Sequence, residues 1–183
     1  MSSDAFPRSS RLSKLVVTLG AVALLSACQA RPLYSEASGT GTKLAEIAFS
    51  QADDRVEQAV RNRLIFLTSG GEGETTAPQY QANLNVISSY SDILDDEDAV
   101  GLQPGRVVVS GTYTLTRISD GAVLKSGSRR STSLLDVSRQ EFAELRAVRD
   151  AEDRASRELA ELIRADLAIA LSREPQPQVT WQK

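Results

Sequence analysis

The chain has 183 residues, 41% of them hydrophobic and 25% charged, with a formal net charge of −3, 5% aromatics, one cysteine and no histidine. Without histidine there is no Ser-His-Asp or Cys-His catalysis and no imidazole metal site, and one cysteine provides neither an internal disulfide nor a thiolate zinc site. The remaining composition is that of an ordinary globular protein, long enough for one domain with a real core.

Arg8, Arg11 and Lys14 precede an apolar run from Leu15 to Leu25, 11 residues long. A spanning helix needs about 20 such residues, so the run reads as the core of an export signal. It ends in Leu25-Ser26-Ala27-Cys28, which resembles the bacterial lipoprotein signal, where an aliphatic residue and two small ones precede the cysteine that becomes lipidated. A chance cysteine after an ordinary signal peptide is the other reading; the only cysteine standing at the correct end of the apolar run favours lipidation. The resemblance implies that residues 1–27 are cleaved and that Cys28 carries a diacylglyceryl thioether and an N-acyl chain. At about 0.8 kcal/mol per buried methylene, several chains anchor durably where one is marginal. Gln29 follows the cysteine in place of the Asp that retains enteric lipoproteins at the inner membrane, so an outer-membrane destination is expected. From Cys28 onward 156 residues remain, with 18 basic and 23 acidic side chains.

Residues 28–42 read as the lipidated terminus and a Ser/Gly/Thr-rich tether. Leu44, Ile47 and Phe49 predict a short strand over Lys43 to Phe49 with imperfect alternation. Asp53 stands where it would cap a helix in which Val56, Val60, Leu64 and Leu67 recur at helical spacing, ended by Ser69-Gly70-Gly71. From Tyr80 the period becomes two: Ala82, Leu84, Val86 and Tyr90 alternate with polar residues. After the acidic run Asp95 to Asp98, Arg106 to Ile118 predicts a strand with Val107, Val109, Tyr113 and Leu115 on one face. Asp120-Gly121 suits the turn of a hairpin, and the polar segment of about Ala122 to Thr132 suits an edge strand, where charge discourages edge-to-edge pairing. Ser138-Arg139-Gln140-Glu141 has the form of a capping box opening a helix that runs to about Arg173. At roughly 1.5 Å per residue that helix is about 50 Å long. Pro175 and Pro177 stop it, and residues 174–183 read as a tail. The order β-α-β-β-β-α predicts an α+β two-layer sandwich over residues 43–173: a four-stranded, mostly antiparallel sheet with two helices on one face.

No motif marks catalysis. Asp95 to Asp98 are consecutive acids without the spacing of a calcium loop, and no local pattern singles out a carboxylate pair for glycoside hydrolysis among the many acids. There is no nucleotide-binding or nucleophile-elbow motif, and no metal or cofactor is expected. Arg129 and Arg130, with Lys125, Arg117 and Arg106, are candidates for an anion-binding patch, against the alternative of solvated edge-strand charges. Alternation sends Arg129 and Arg130 to opposite faces. Nucleic acid is a poor partner for an acidic, exported chain with few aromatics.

Several features in order resemble the LPS-assembly lipoprotein family LptE, in particular its alphaproteobacterial branch. These are Cys28 followed by Arg31-Pro32-Leu33-Tyr34, the helix segment Arg55 to Leu64, the strand Tyr80 to Val86, the hairpin strands around Tyr113 and Leu115, and Asp153-Arg154-Ala155 in the Ala-rich last helix. The resemblance implies a non-enzymatic protein that sits as a plug in the outer-membrane β-barrel LptD, assists its assembly and binds lipopolysaccharide. By position it brings forward Arg106, beside the 95–105 loop, and Arg139, beside the start of the last helix, as lipopolysaccharide contacts. The acidic run beside them departs from the family and would repel phosphate. Tyr34, Phe66, Tyr90 and Trp181 are candidate anchors for the partner. Two alternatives remain open at this level: an auxiliary lipoprotein of an ABC-type lipid-transport system, and a lipid-anchored hydrolase using carboxylates.

Overall fold

The computed structural model describes residues 39–93, 102–138 and 140–174. The segment before Gly39, the acidic run and the tail therefore lie outside the described residues. In chain order the elements are α1 (Thr40–Ala45), β1 (Ile47–Phe49), α2 (Arg55–Ser69), β2 (Tyr80–Asp92), β3 (Gln103–Arg117), β4 (Val123–Val137) and α3 (Glu141–Ser172). The strands form one sheet in the order β1-β2-β3-β4. β1 pairs parallel to β2, and the two remaining pairings are antiparallel. The expected α+β sandwich is present, with a mixed sheet and the polar β4 at its edge.

The alternation of β2 and β3 decides which face is buried. Ala82, Val86, Val107, Val109, Tyr113 and Leu115 all point to the side that α2 and α3 cover. From α2 come Val56, Val60 and Leu64, and from α3 Leu159, Ile163, Leu167 and Leu171, all in the same core. Gly111 lies beneath α3. A Cβ there would stand 3.2 Å from Leu159 Cδ2 and 3.4 Å from Ile163 Cδ1, so the missing side chain sets how closely helix and sheet approach. Arg55 pairs with Glu152 and Asp153, and Arg63 with Glu161 at 2.8 Å. The matching offsets mean that α2 and α3 run in the same direction.

Three boundaries differ from the sequence expectation. Thr40 to Ala45 form a short helix, and strand structure begins only at Ile47. A helical turn buries Leu44 and Thr40, and Lys43 Nζ donates to the carbonyls of Leu171 (3.4 Å) and Glu174 (2.7 Å) at the end of α3. Asp54, not Asp53, caps α2, its carboxylate accepting from the Glu57 amide at 2.8 Å. The capping box expected at Ser138 does not form: β4 continues to Val137, because Leu135 and Val137 belong to the core, and α3 starts at Glu141 after Gln140 without a side-chain cap. The expected ends of α2 and of the hairpin are present, with Gly70 at φ 66° and Gly121 at φ 71°, backbone angles that glycine adopts without penalty.

Candidate functional site

The arginines singled out from the sequence fall on two sides of the sheet. Arg129 lies on the covered side. Its Nε and Nη2 each donate at 2.6 Å to the two carboxylate oxygens of Asp166 on α3, a bidentate pair. The Tyr113 hydroxyl donates to the same carboxylate. The Arg129 bonds hold the Asp166 carboxyl below its usual range, against the opposing effect of burial. Burial, followed by the bond to Asp166, pushes the Tyr113 phenol up. Gly127 makes room for this arrangement, since a Cβ there would meet the Tyr113 hydroxyl oxygen at 2.5 Å. Arg129 is thus committed to a structural cluster tying β3, β4 and α3 together.

Arg106 and Arg130 project from the opposite, open side, where among the described residues no helix packs. Arg106 Nη2 reaches Ser91 Oγ at 3.5 Å, and Arg130 Nε donates to Ser110 Oγ at 3.3 Å. Both are weak surface contacts that leave the guanidiniums exposed. Register sets Arg106 opposite Leu134 and Arg130 opposite Ser110. The two are four residues apart along neighbouring strands, about 14 Å at roughly 3.4 Å per residue. Ile87, Val108 and Leu134 share that half of the face, Ile87 and Leu134 being 65% and 66% exposed. The other half holds a shallow depression of about 280 Å³ lined by Asn83, Asn85, Thr112, Thr114 and Ser126.

Arg139, Cys28, the Leu25-Ser26-Ala27 motif and Gln29 lie outside the described residues, as do Tyr34 and Trp181. Of the remaining candidate anchors, Phe66 is 55% exposed with the Arg63 guanidinium over its ring, and Tyr90 donates to Asp92. Asp166 and Lys43 were not marked by the sequence. Their partners lie 37 and 128 or more residues away, and no local pattern signals such a pairing.

Among the described residues no group of three acidic or sulfur side chains is placed to hold a metal ion, and no helix is long and apolar enough to cross a membrane. Carboxylates that are close together on α3, such as Glu152 and Asp153, are bound by Arg55.

No family model and no curated protein matches the sequence. Solved structures do match. A protein of Caulobacter crescentus assigned to the lipoproteins superposes with a TM-score of 0.60 at 20% identity, over 75% of this chain and 98% of that one. The rare lipoprotein B of Shewanella oneidensis superposes with a TM-score of 0.50 at 11% identity, over 67% and 92%. The chain has the fold of these lipoproteins. In both, nearly the whole of the solved chain is covered, so the shared unit is the entire sheet-and-helix body.

Proposed function

We propose that this chain is a lipid-anchored protein of the outer membrane, facing the periplasm, that acts as an LptE-like plug and assembly factor for an LptD-like β-barrel and binds lipopolysaccharide on its way outward. The observation that carries the reading is one combination: a body with the fold of bacterial lipoproteins behind a lone cysteine, Cys28, at the end of an export signal. The order and spacing of the LptE-like motifs add the specific partner.

The parts work together on physical grounds. Acyl chains on Cys28 hold the body at the periplasmic leaflet, and confinement there raises its effective concentration for a membrane-embedded partner without any new contact. A sheet with one polar face suits the hydrated, polar interior of a large barrel. Arg106 and Arg130, beside Ile87, Val108 and Leu134, combine cationic and apolar groups on one accessible surface, the pairing an anionic amphiphile requires. Arg129 acts on that surface only indirectly, by fixing β4 to α3 through Asp166. The work is binding and assembly, not catalysis.

Detergent extraction of the tagged full chain tests the reading. Recovery of a large, heat-modifiable outer-membrane barrel is the expected result, and recovery of inner-membrane transporter subunits alone overturns it. Cys28→Ser is expected to abolish lipid labelling and membrane retention; unchanged retention refutes the anchor.

A further inference from the structure

A short network of contacts ties one end of the molecule together. Lys43 on α1 donates to the carbonyls of Leu171 and Glu174, and Arg117 at the end of β3 binds the Glu174 carboxylate. The Ile118 amide donates to the Gln79 carbonyl, and the Gln79 amide to the carbonyl of Glu46 just after α1, both at 3.0 Å. α1, the end of α3 and the β3-β4 turn therefore lie side by side. Thr40 and Leu44 are buried as well, so Gly39, where the segment from Cys28 joins the body, is held at this end.

The same end presents apolar groups to solvent. Ile118 and Val123 are 50% and 63% exposed. They flank a tight turn in which the Arg117 amide donates to the Ala122 carbonyl and the Gly121 amide to the Arg117 carbonyl, each at 2.9 Å. A single exposed hydrophobic residue needs no explanation, but these two stand together at a hairpin tip, where turn chemistry favours polar residues. The charges of the network are matched: Arg117 binds both Asp120 and Glu174, and Lys43 covers the carbonyl end of α3. Lys125 and Arg173 adjoin it and are exposed. Two apolar groups on a turn, with cations beside them, suit the boundary between headgroups and acyl chains.

Chain length selects which end can meet a membrane. Eleven residues, 28–38, separate the body from lipid on Cys28; a linker of that length spans at most about 40 Å and about 18 Å on average. Phe142, the exposed apolar residue near the start of α3, is 29 residues from Leu171 along one helix, about 44 Å at roughly 1.5 Å per residue. That end lies beyond the linker's full extension, whereas the β3-β4 turn lies within its ordinary reach.

We infer that the end formed by α1, the close of α3 and the β3-β4 turn rests on the lipid surface, with Ile118 and Val123 entering the headgroup boundary. The inference rests on the lipid anchor proposed at Cys28 and adds the part of the body that touches lipid. Tethering makes a weak contact sufficient: at an effective concentration on the order of 1 mM, a surface contact of millimolar affinity is occupied about half of the time.

Thiol accessibility tests it, because lipid on Cys28 leaves an introduced cysteine as the only free thiol. The lipidated full chain carrying Ser119→Cys, or Phe142→Cys as the distant control, is added to preformed vesicles of phosphatidylethanolamine with phosphatidylglycerol and exposed to a membrane-impermeant maleimide. The turn position is expected to react several-fold more slowly than the control. Adding Ile118→Ser and Val123→Ser is expected to remove that difference while thermal unfolding stays unchanged. Equal rates at the two positions, slower reaction at Phe142→Cys, or protection at the turn that survives the double substitution overturns the contact. If the unsubstituted chain itself reacts with maleimide, Cys28 is free and the anchor reading fails instead, so the two failures remain distinct.

Discussion

The two faces of one sheet are built from the same strands, residue by residue in alternation, yet their chemistry is opposite. On the covered face Val107, Val109 and Leu115 are fully buried beneath Leu159 and Ile163 of α3, and several polar groups admitted there have partners. Arg129 is held by Asp166, Ser131 Oγ donates to Glu158 at 2.7 Å, and Arg154 Nε donates to Ser133 Oγ at 3.1 Å. On the open face Asn83, Asn85, Thr112 and Ser128 stand in solvent. The difference separates two kinds of constraint: the covered face fixes the fold, and the open face is free to carry recognition. Each substitution below tests that division.

The largest effect belongs to the contact between α3 and the sheet. Leu159→Ala removes a fully buried side chain that packs over Gly111, in a core with little freedom to collapse. A loss of about 3 kcal/mol is expected, read from denaturant unfolding midpoints at constant slope. A loss under about 1 kcal/mol would mean that α3 does not carry the core.

Next comes the polar cluster. Asp166→Asn leaves shape but removes the charge that Arg129 grips and weakens the acceptor for Tyr113, with an expected cost of about 2 kcal/mol at pH 7. The pH dependence has a definite sign. Arg129 favours the ionised carboxylate, so Asp166 holds its proton more weakly in the folded chain than in the unfolded one, where a carboxyl of this type titrates near pH 4. Its contribution is therefore complete above about pH 5 and is lost as pH falls through the folded-state value below that. Unfolding series from pH 7 to pH 3 are expected to show a shallower acid decline in Asp166→Asn than in the parent; parallel declines would exclude this carboxylate as a contributor. A smaller effect, about 1 to 2 kcal/mol, is expected for Gly127→Ala, whose new methyl must displace the Tyr113 ring. Thermal unfolding measures the loss, and near-ultraviolet circular dichroism of the tyrosines should change with it.

How far these features were legible follows from the range of the interactions that create them. Period-two alternation in β2 and β3 and helical spacing in α2 and α3 are local, so the sandwich and most of its inward residues were readable from the chain. The spacing of Leu44, Ile47 and Phe49 suits neither period cleanly, so the sequence does not separate the helical Thr40–Ala45 from the strand Ile47–Phe49; Lys43 docks onto the end of α3, a contact that spans the sequence. β4 runs beyond its expected end because Ser131 and Ser133, which look like surface residues in the sequence, are covered by α3. The Arg129 partner, Asp166, lies among many acids with no pattern to distinguish it. For the candidate site, alternation correctly separates Arg129 from Arg130, whereas the placement of Arg106 and Arg130 on one face follows only once β3 and β4 are in register.

The smallest effect on stability is expected on the open face of the sheet. Asn85 stands exposed on β2, opposite Thr112, and lines the depression with it. Its side chain fills no core and neutralises no charge, so Asn85→Ala should shift stability by no more than about 0.5 kcal/mol. A serine at the same position keeps a short hydrogen-bonding group and should leave stability unchanged as well. If the division between faces holds, both variants melt like the parent. A loss of stability with alanine comparable to that of Gly127→Ala would show that the open face helps to hold the fold, and the separation of folding from recognition across the sheet would then fail.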